Sequence, residues 1–120
     1  MQKKVVLYDL ENHMVVYRGL AQMHNISKHT RQIEFGSKEH RYIFTIYEKG
    51  CRIRSISEIE VDLLLSAFSK SSGKIISEHG AMEIAAALDD YSQSQEKVSV
   101  RYHLFEQQEQ QNFHFCLQIQ

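Results

Sequence analysis

The feature that most constrains this chain is a hydrophobic period of two. Val98, Val100, Tyr102 and Leu104 alternate with Ser99, Arg101, His103 and Phe105, and Phe113, Phe115, Leu117 and Ile119 alternate with His114, Cys116, Gln118 and Gln120. Ile59, Val61, Leu63 and Leu65 follow the same rule, and the runs Arg41 to Tyr47 and Met14 to Tyr17 are rich in aromatic and β-branched residues. Successive side chains of a strand point to opposite faces, so alternation describes a strand with one buried face. Clusters such as Gly36-Ser37-Lys38, Glu48-Lys49-Gly50, Ser69 to Gly73 and His79-Gly80 punctuate these runs as turns. Many short strands separated by turns predict an antiparallel all-β domain, a barrel or a sandwich, with the barrel preferred.

The segment Ala81 to Asp90 contains five alanine and leucine residues that favour helix, yet Met82, Ile84, Ala86 and Leu88 fall on one side of a strand. It is read as a strand, with a short helix as the alternative. A chain of 120 residues forms one domain over 1–120 and buries enough surface to need no disulfide or metal staple. No stretch approaches the roughly 20 apolar residues of a helical membrane span. The N-terminal run is cut by Tyr8 and Asp9, too short for a secretory leader, so a cytoplasmic address with Cys51 and Cys116 reduced is expected.

The formal net charge of −1 argues against nucleic acid as a partner, because phosphate contacts need concentrated Lys and Arg. The charge is nevertheless split. Seven Lys/Arg stand against three Glu between Lys28 and Arg54, and eight Asp/Glu against two Lys between Ile56 and Glu96. Two solvated faces of one domain account for this, and a homodimer or partner surface is the sharper reading.

Matching the two C-terminal alternating runs about Gln108/Glu109 predicts a hairpin with Tyr102 opposite Phe115, Val100 opposite Leu117 and Val98 opposite Ile119. On its other face the same register opposes His103 to His114 and Arg101 to Cys116. Two facing imidazoles with Cys116 diagonal make His103, His114 and Cys116 the one candidate metal set. The competing reading is a polar, solvated strand face. His24 and His29 flank a stretch read as a loop. Arg52 and Arg54, on one side of a strand, suit a carboxylate or phosphate ligand, or pairing with Glu58, Glu60 and Asp62. Tyr42 and Tyr102 lie at apolar-facing positions, and each carries a hydroxyl that needs a partner when buried. With Phe115 they form the candidate lining of a ligand site. No nucleophile elbow, phosphate loop or dinucleotide fingerprint is present, so no cofactor is expected and a catalytic role is unsupported, an enzyme on the His103/His114 face being the lesser alternative.

Three stretches resemble the bacterial YwiB-like family of small uncharacterised proteins. They are the charged alternating strand Glu58 to Leu65, the strand–Gly turn–strand unit Gly73 to Ile84, and Val98 to Leu104 ahead of a polar turn and a terminal alternating strand. The resemblance implies an antiparallel up-and-down, lipocalin-like, calycin-type barrel of about eight strands, wide enough to be filled by side chains or to hold one small, partly apolar ligand. It implies no catalytic residues, and the chain has no Trp from which to build the Gly-x-Trp signature of true lipocalins.

Overall fold

The structure, a computed structural model, describes residues 1–120. It contains ten β-strands and no helix: β1 (Gln2–Asp9), β2 (Met14–Ser27), β3 (Thr30–Gly36), β4 (Arg41–Tyr47), β5 (Gly50–Ile56), β6 (Glu60–Ser66), β7 (Ser72–Ser77), β8 (Gly80–Gln93), β9 (Lys97–Glu106) and β10 (Glu109–Ile119). Every strand pairs antiparallel with its chain neighbours, and β1 pairs with β10 to close the barrel. Closure removes the two sheet edges that an open meander would leave unpaired.

The all-β, up-and-down reading therefore holds, with ten strands in place of about eight. Two strands carry weak alternation. β1 holds the continuous run Val5-Val6-Leu7, in which outward-facing Val6 is as buried as a core residue. In β3 only Ile33 and Phe35 stand apolar among polar neighbours. The segment Ala81 to Asp90 is strand, as its alternation implied, and lies within β8. His24, expected in a loop, lies in β2 opposite Gln32, while His29 falls in the β2–β3 turn.

Inward positions follow the period of two. Val5 and Leu7, Ile33 and Phe35, Phe44 and Ile46, Val98 and Val100 all belong to one core cluster. Gly73 faces the same interior. A Cβ there would meet Ile84 Cγ2 at 2.6 Å and Leu63 Cδ2 at 2.9 Å, so any larger residue would force those side chains to move.

The C-terminal hairpin corrects the predicted register by two residues. Tyr102 lies opposite Phe113, Val100 opposite Phe115 and Val98 opposite Leu117. An even slip leaves each side chain on its predicted face and changes only its neighbours. The turn is Gln107-Gln108, and both residues have positive φ, 50° and 72°. That is the backbone of a two-residue turn that Asn-Gly or Gly-Gly normally signals. A Gln pair does not announce it.

Three bulges interrupt the ladders, one of them beside the β2–β3 turn, where Asn25 pairs with Arg31 but Ser27 pairs with Thr30 and leaves Ile26 extra. Leu7 pairs with Tyr17 but Tyr8 pairs with Val15, which leaves Val16 as an extra residue. Leu88 pairs with Tyr102 but Asp90 pairs with Arg101, which leaves Asp89 extra. A bulge re-aims the side chain it carries.

Candidate functional site

The two ends of the barrel differ in chemistry. At the end that holds the β2–β3, β4–β5 and β8–β9 turns, polar groups span the interior. Arg31 Nη1 donates to the Gln95 carbonyl at 3.1 Å, and its Nη2 donates to the Ser94 carbonyl. Burial holds the Arg31 guanidinium below its usual pKa, and these two carbonyls take up its charge. The Tyr91 hydroxyl donates to the Tyr47 carbonyl at 2.9 Å across the same region. Between them Val5, Ile46, Cys51, Leu65 and Leu117 are fully buried.

The opposite end is apolar. A cavity of about 350 Å³ opens there, with eleven hydrophobic residues among the thirteen that line it. Leu7, Ile53 and Leu63 line it together with core residue Phe44. Val16, aimed inward by its bulge, and Val61 also line it. Tyr102, Phe113 and Phe115 supply an aromatic wall, with the Tyr102 and Phe113 rings 5.1 Å apart and nearly parallel at 13°. Such offset stacking fixes ring orientation and favours a rigid wall.

Few polar groups reach this cavity, and each is specific. Tyr102 is 4% exposed, and its hydroxyl makes no hydrogen bond to the protein. Burial pushes its phenol well above the usual range, with Cys51 and the Asp9 charge acting in the same direction. Asp9 is 9% exposed and closes β1 on the inward face. Its two oxygens accept from the Asn12 backbone N–H at 3.1 Å and from Asn12 Nδ2 at 2.8 Å. Ser55 Oγ lies 2.6 Å from His40 Nε2, and the Tyr42 hydroxyl lies 3.4 Å from His40 Nδ1. His40 thus holds both groups from behind, stacked on Tyr42 with ring centres 4.3 Å apart.

Tyr42, Tyr102 and Phe115, singled out from the sequence, meet in this one cavity. Arg52 and Arg54 do not join them. They project outward between inward-facing Cys51, Ile53 and Ser55. Arg52 binds Asp62 through Nε at 2.9 Å and Nη2 at 2.6 Å, and Arg54 Nη2 donates to Glu60 at 3.1 Å. Their charge is matched on the neighbouring strand, which was the competing reading.

The opposed His103/His114 pair is also corrected. His103 lies opposite Asn112, His114 opposite Arg101 and Cys116 opposite Ser99. His103 Nδ1 sits 2.8 Å from both oxygens of Asp89, the bulged residue, and His114 Nε2 sits 3.2 Å from Ser99 Oγ. No three His, Cys, Asp or Glu side chains converge to hold a metal. Sequence reasoning missed Asp9, Val16, Ser55 and Phe113. Asp9 was legible, because Val5, Leu7 and Asp9 share parity and hence a face.

No protein-family model and no curated protein matches the chain. Among solved structures the chain is similar to the crystal structure of the ywiB protein from Bacillus subtilis, with a TM-score of 0.58 over 98% of this chain and 86% of that one. The chain has a YwiB-like fold. At 11% identity the likeness reaches the backbone alone. The YwiB-like barrel therefore supplies a scaffold, and any function has to be argued from the side chains that line it. No helix is long and apolar enough to cross a membrane.

Proposed function

We propose that this protein is a non-catalytic binding module of the YwiB-like, calycin type, which holds one small, partly apolar ligand in the open end of its barrel. The observation that carries this reading is the 350 Å³ apolar cavity with an unbonded Tyr102 hydroxyl inside it. Ligand sites are typically concave, mostly apolar and supplied with a few placed polar groups. A hydroxyl in a mostly apolar cavity that bonds no protein group is free to bond a ligand. Fully buried Ile46, Cys51, Leu65 and Leu117 fill the barrel interior beyond the cavity and give it a floor. Free, buried Cys51 and Cys116 suit a reducing compartment.

The test is uptake of a neutral fluorescent probe, N-phenyl-1-naphthylamine, by the wild-type protein and by Val61→Trp. Val61 lines the cavity and is only partly buried, so an indole there occupies cavity space without entering the packed core. The wild type is expected to bind one probe with a blue-shifted emission, and the variant to fold but lose it. A wild type that leaves the emission unchanged contradicts the reading.

A further inference from the structure

We infer that the ligand's polar head is a cation, an ammonium group on an apolar body, and that it pairs with Asp9 against the aromatic wall. This rests on the cavity being a ligand site and adds the sign of charge that it selects.

Asp9 is the one Asp, Glu, Lys, Arg or His side chain lining the cavity. It forms no ion pair: the five in the chain join Arg41 to Glu34, Arg52 to Asp62, Arg54 to Glu60, His79 to Glu78 and His103 to Asp89. Its two hydrogen bonds both come from Asn12, and a carboxylate has about four acceptor sites. The carboxylate thus keeps acceptor capacity for a further donor, and it lines the cavity. A largely buried carboxylate with no counter-charge of its own favours an incoming cation as its partner.

The remaining surroundings agree. Tyr42, Phe44, Tyr102, Phe113 and Phe115 supply aromatic rings around the cavity. Ring faces carry negative charge and attract a cation within about 6 Å of the centroid. The Tyr102 hydroxyl supplies an acceptor oxygen that no protein group uses. A carboxylate-headed ligand would find the opposite: no Arg, Lys or His in the wall, with Arg52 and Arg54 turned outward onto their own acids. A calycin-like barrel of this composition is built to reject a fatty acid and accept an amine.

The experiment compares three probes of one chain length, n-octylammonium, octan-1-ol and octanoate at pH 7, as competitors of bound N-phenyl-1-naphthylamine. Octylammonium is expected to displace it about tenfold better than octan-1-ol, the gain of one charge-assisted hydrogen bond, with octanoate weakest. Asp9→Asn, which keeps the shape and an acceptor oxygen, is expected to erase the preference for octylammonium while octan-1-ol competes as before. Glu11→Gln removes an equal charge two residues away, in the exposed β1–β2 turn, and is expected to keep the preference. Octanol or octanoate matching octylammonium in the wild type overturns the charge assignment and leaves the cavity reading standing. Failure of the fluorescent probe itself to bind overturns both. The wild-type ranking decides the matter even if the Asp9 variant does not fold.

Discussion

The Tyr91 hydroxyl donates to the Tyr47 carbonyl at 2.9 Å, joining β8 to β4, two strands that share no ladder. Tyr102 is buried more deeply and has no such partner. The two phenols therefore respond differently to loss of the hydroxyl. Tyr91→Phe is expected to cost about 1 kcal/mol, the net worth of one hydrogen bond. Tyr102→Phe is expected to stay within about 0.5 kcal/mol of wild type, because no protein hydrogen bond is lost. Urea unfolding of both variants checks this. A larger cost at Tyr102 than at Tyr91 contradicts the described interior.

The β9–β10 turn is the cheapest place to stabilise the chain. Gln107 and Gln108 both sit at positive φ, where an L-residue other than Gly, Asn or Asp costs roughly 1–2 kcal/mol. Gln107→Asn with Gln108→Gly supplies the residues that this turn favours. The double variant is expected to be more stable by about 1–2 kcal/mol in thermal or urea unfolding. An unchanged or lower midpoint contradicts the assigned turn.

That turn also explains which parts of the fold were legible. Faces were readable wherever alternation was strict, as in Val98 to Leu104 and Phe113 to Ile119, because side-chain parity alone decides them. Register was not, because it depends on a turn whose residues carry no signal for its backbone. Asp89 and Val16 illustrate a second blind spot. Each is the extra residue of a bulge, and a bulge breaks the very parity used to assign faces. Tyr42, Tyr102 and Phe115 were found because aromatic residues on an inward face are conspicuous. Asp9 was passed over as the end of an apolar run, although parity with Val5 and Leu7 places it inside.

Both thiols are shielded, to different degrees. Cys51 is fully buried on the inward face, and burial pushes its thiol up to about 12. Cys116 occupies an outward position in β10 between inward Phe115 and Leu117, and burial raises its thiol too. The thiolate is the reactive form, so neither cysteine is expected to react quickly with Ellman's reagent at pH 8. Cys116 is expected to react first under native conditions, and both to react at once in urea. A rapidly reacting Cys51 in the native protein contradicts the packed core.

The Arg52–Asp62 pair sets an acid limit. Its hydrogen bonds to Arg52 hold the Asp62 carboxyl below the ordinary value of 3.8. A group with a depressed folded pKa contributes stability that is complete above its unfolded value and lost as pH falls through the folded one. Stability is therefore expected to decline below about pH 4, with Asp62 supplying at most about 1 kcal/mol because Arg52 is partly exposed to solvent. Asp62→Asn is expected to be less stable at pH 7 and to show a shallower acid limb. Parallel pH–stability curves for the two proteins contradict this.

The open end of the barrel as a ligand cavity is tested most directly by NMR of the wild-type protein with octan-1-ol. Saturable intermolecular contacts from the octyl chain to the ring protons of Tyr102 and Phe113 and to the Val61 methyls are the predicted result. Contacts confined to outward-facing side chains such as Phe68 and Phe105, with Tyr102 and Phe113 unmoved at saturation, would contradict it.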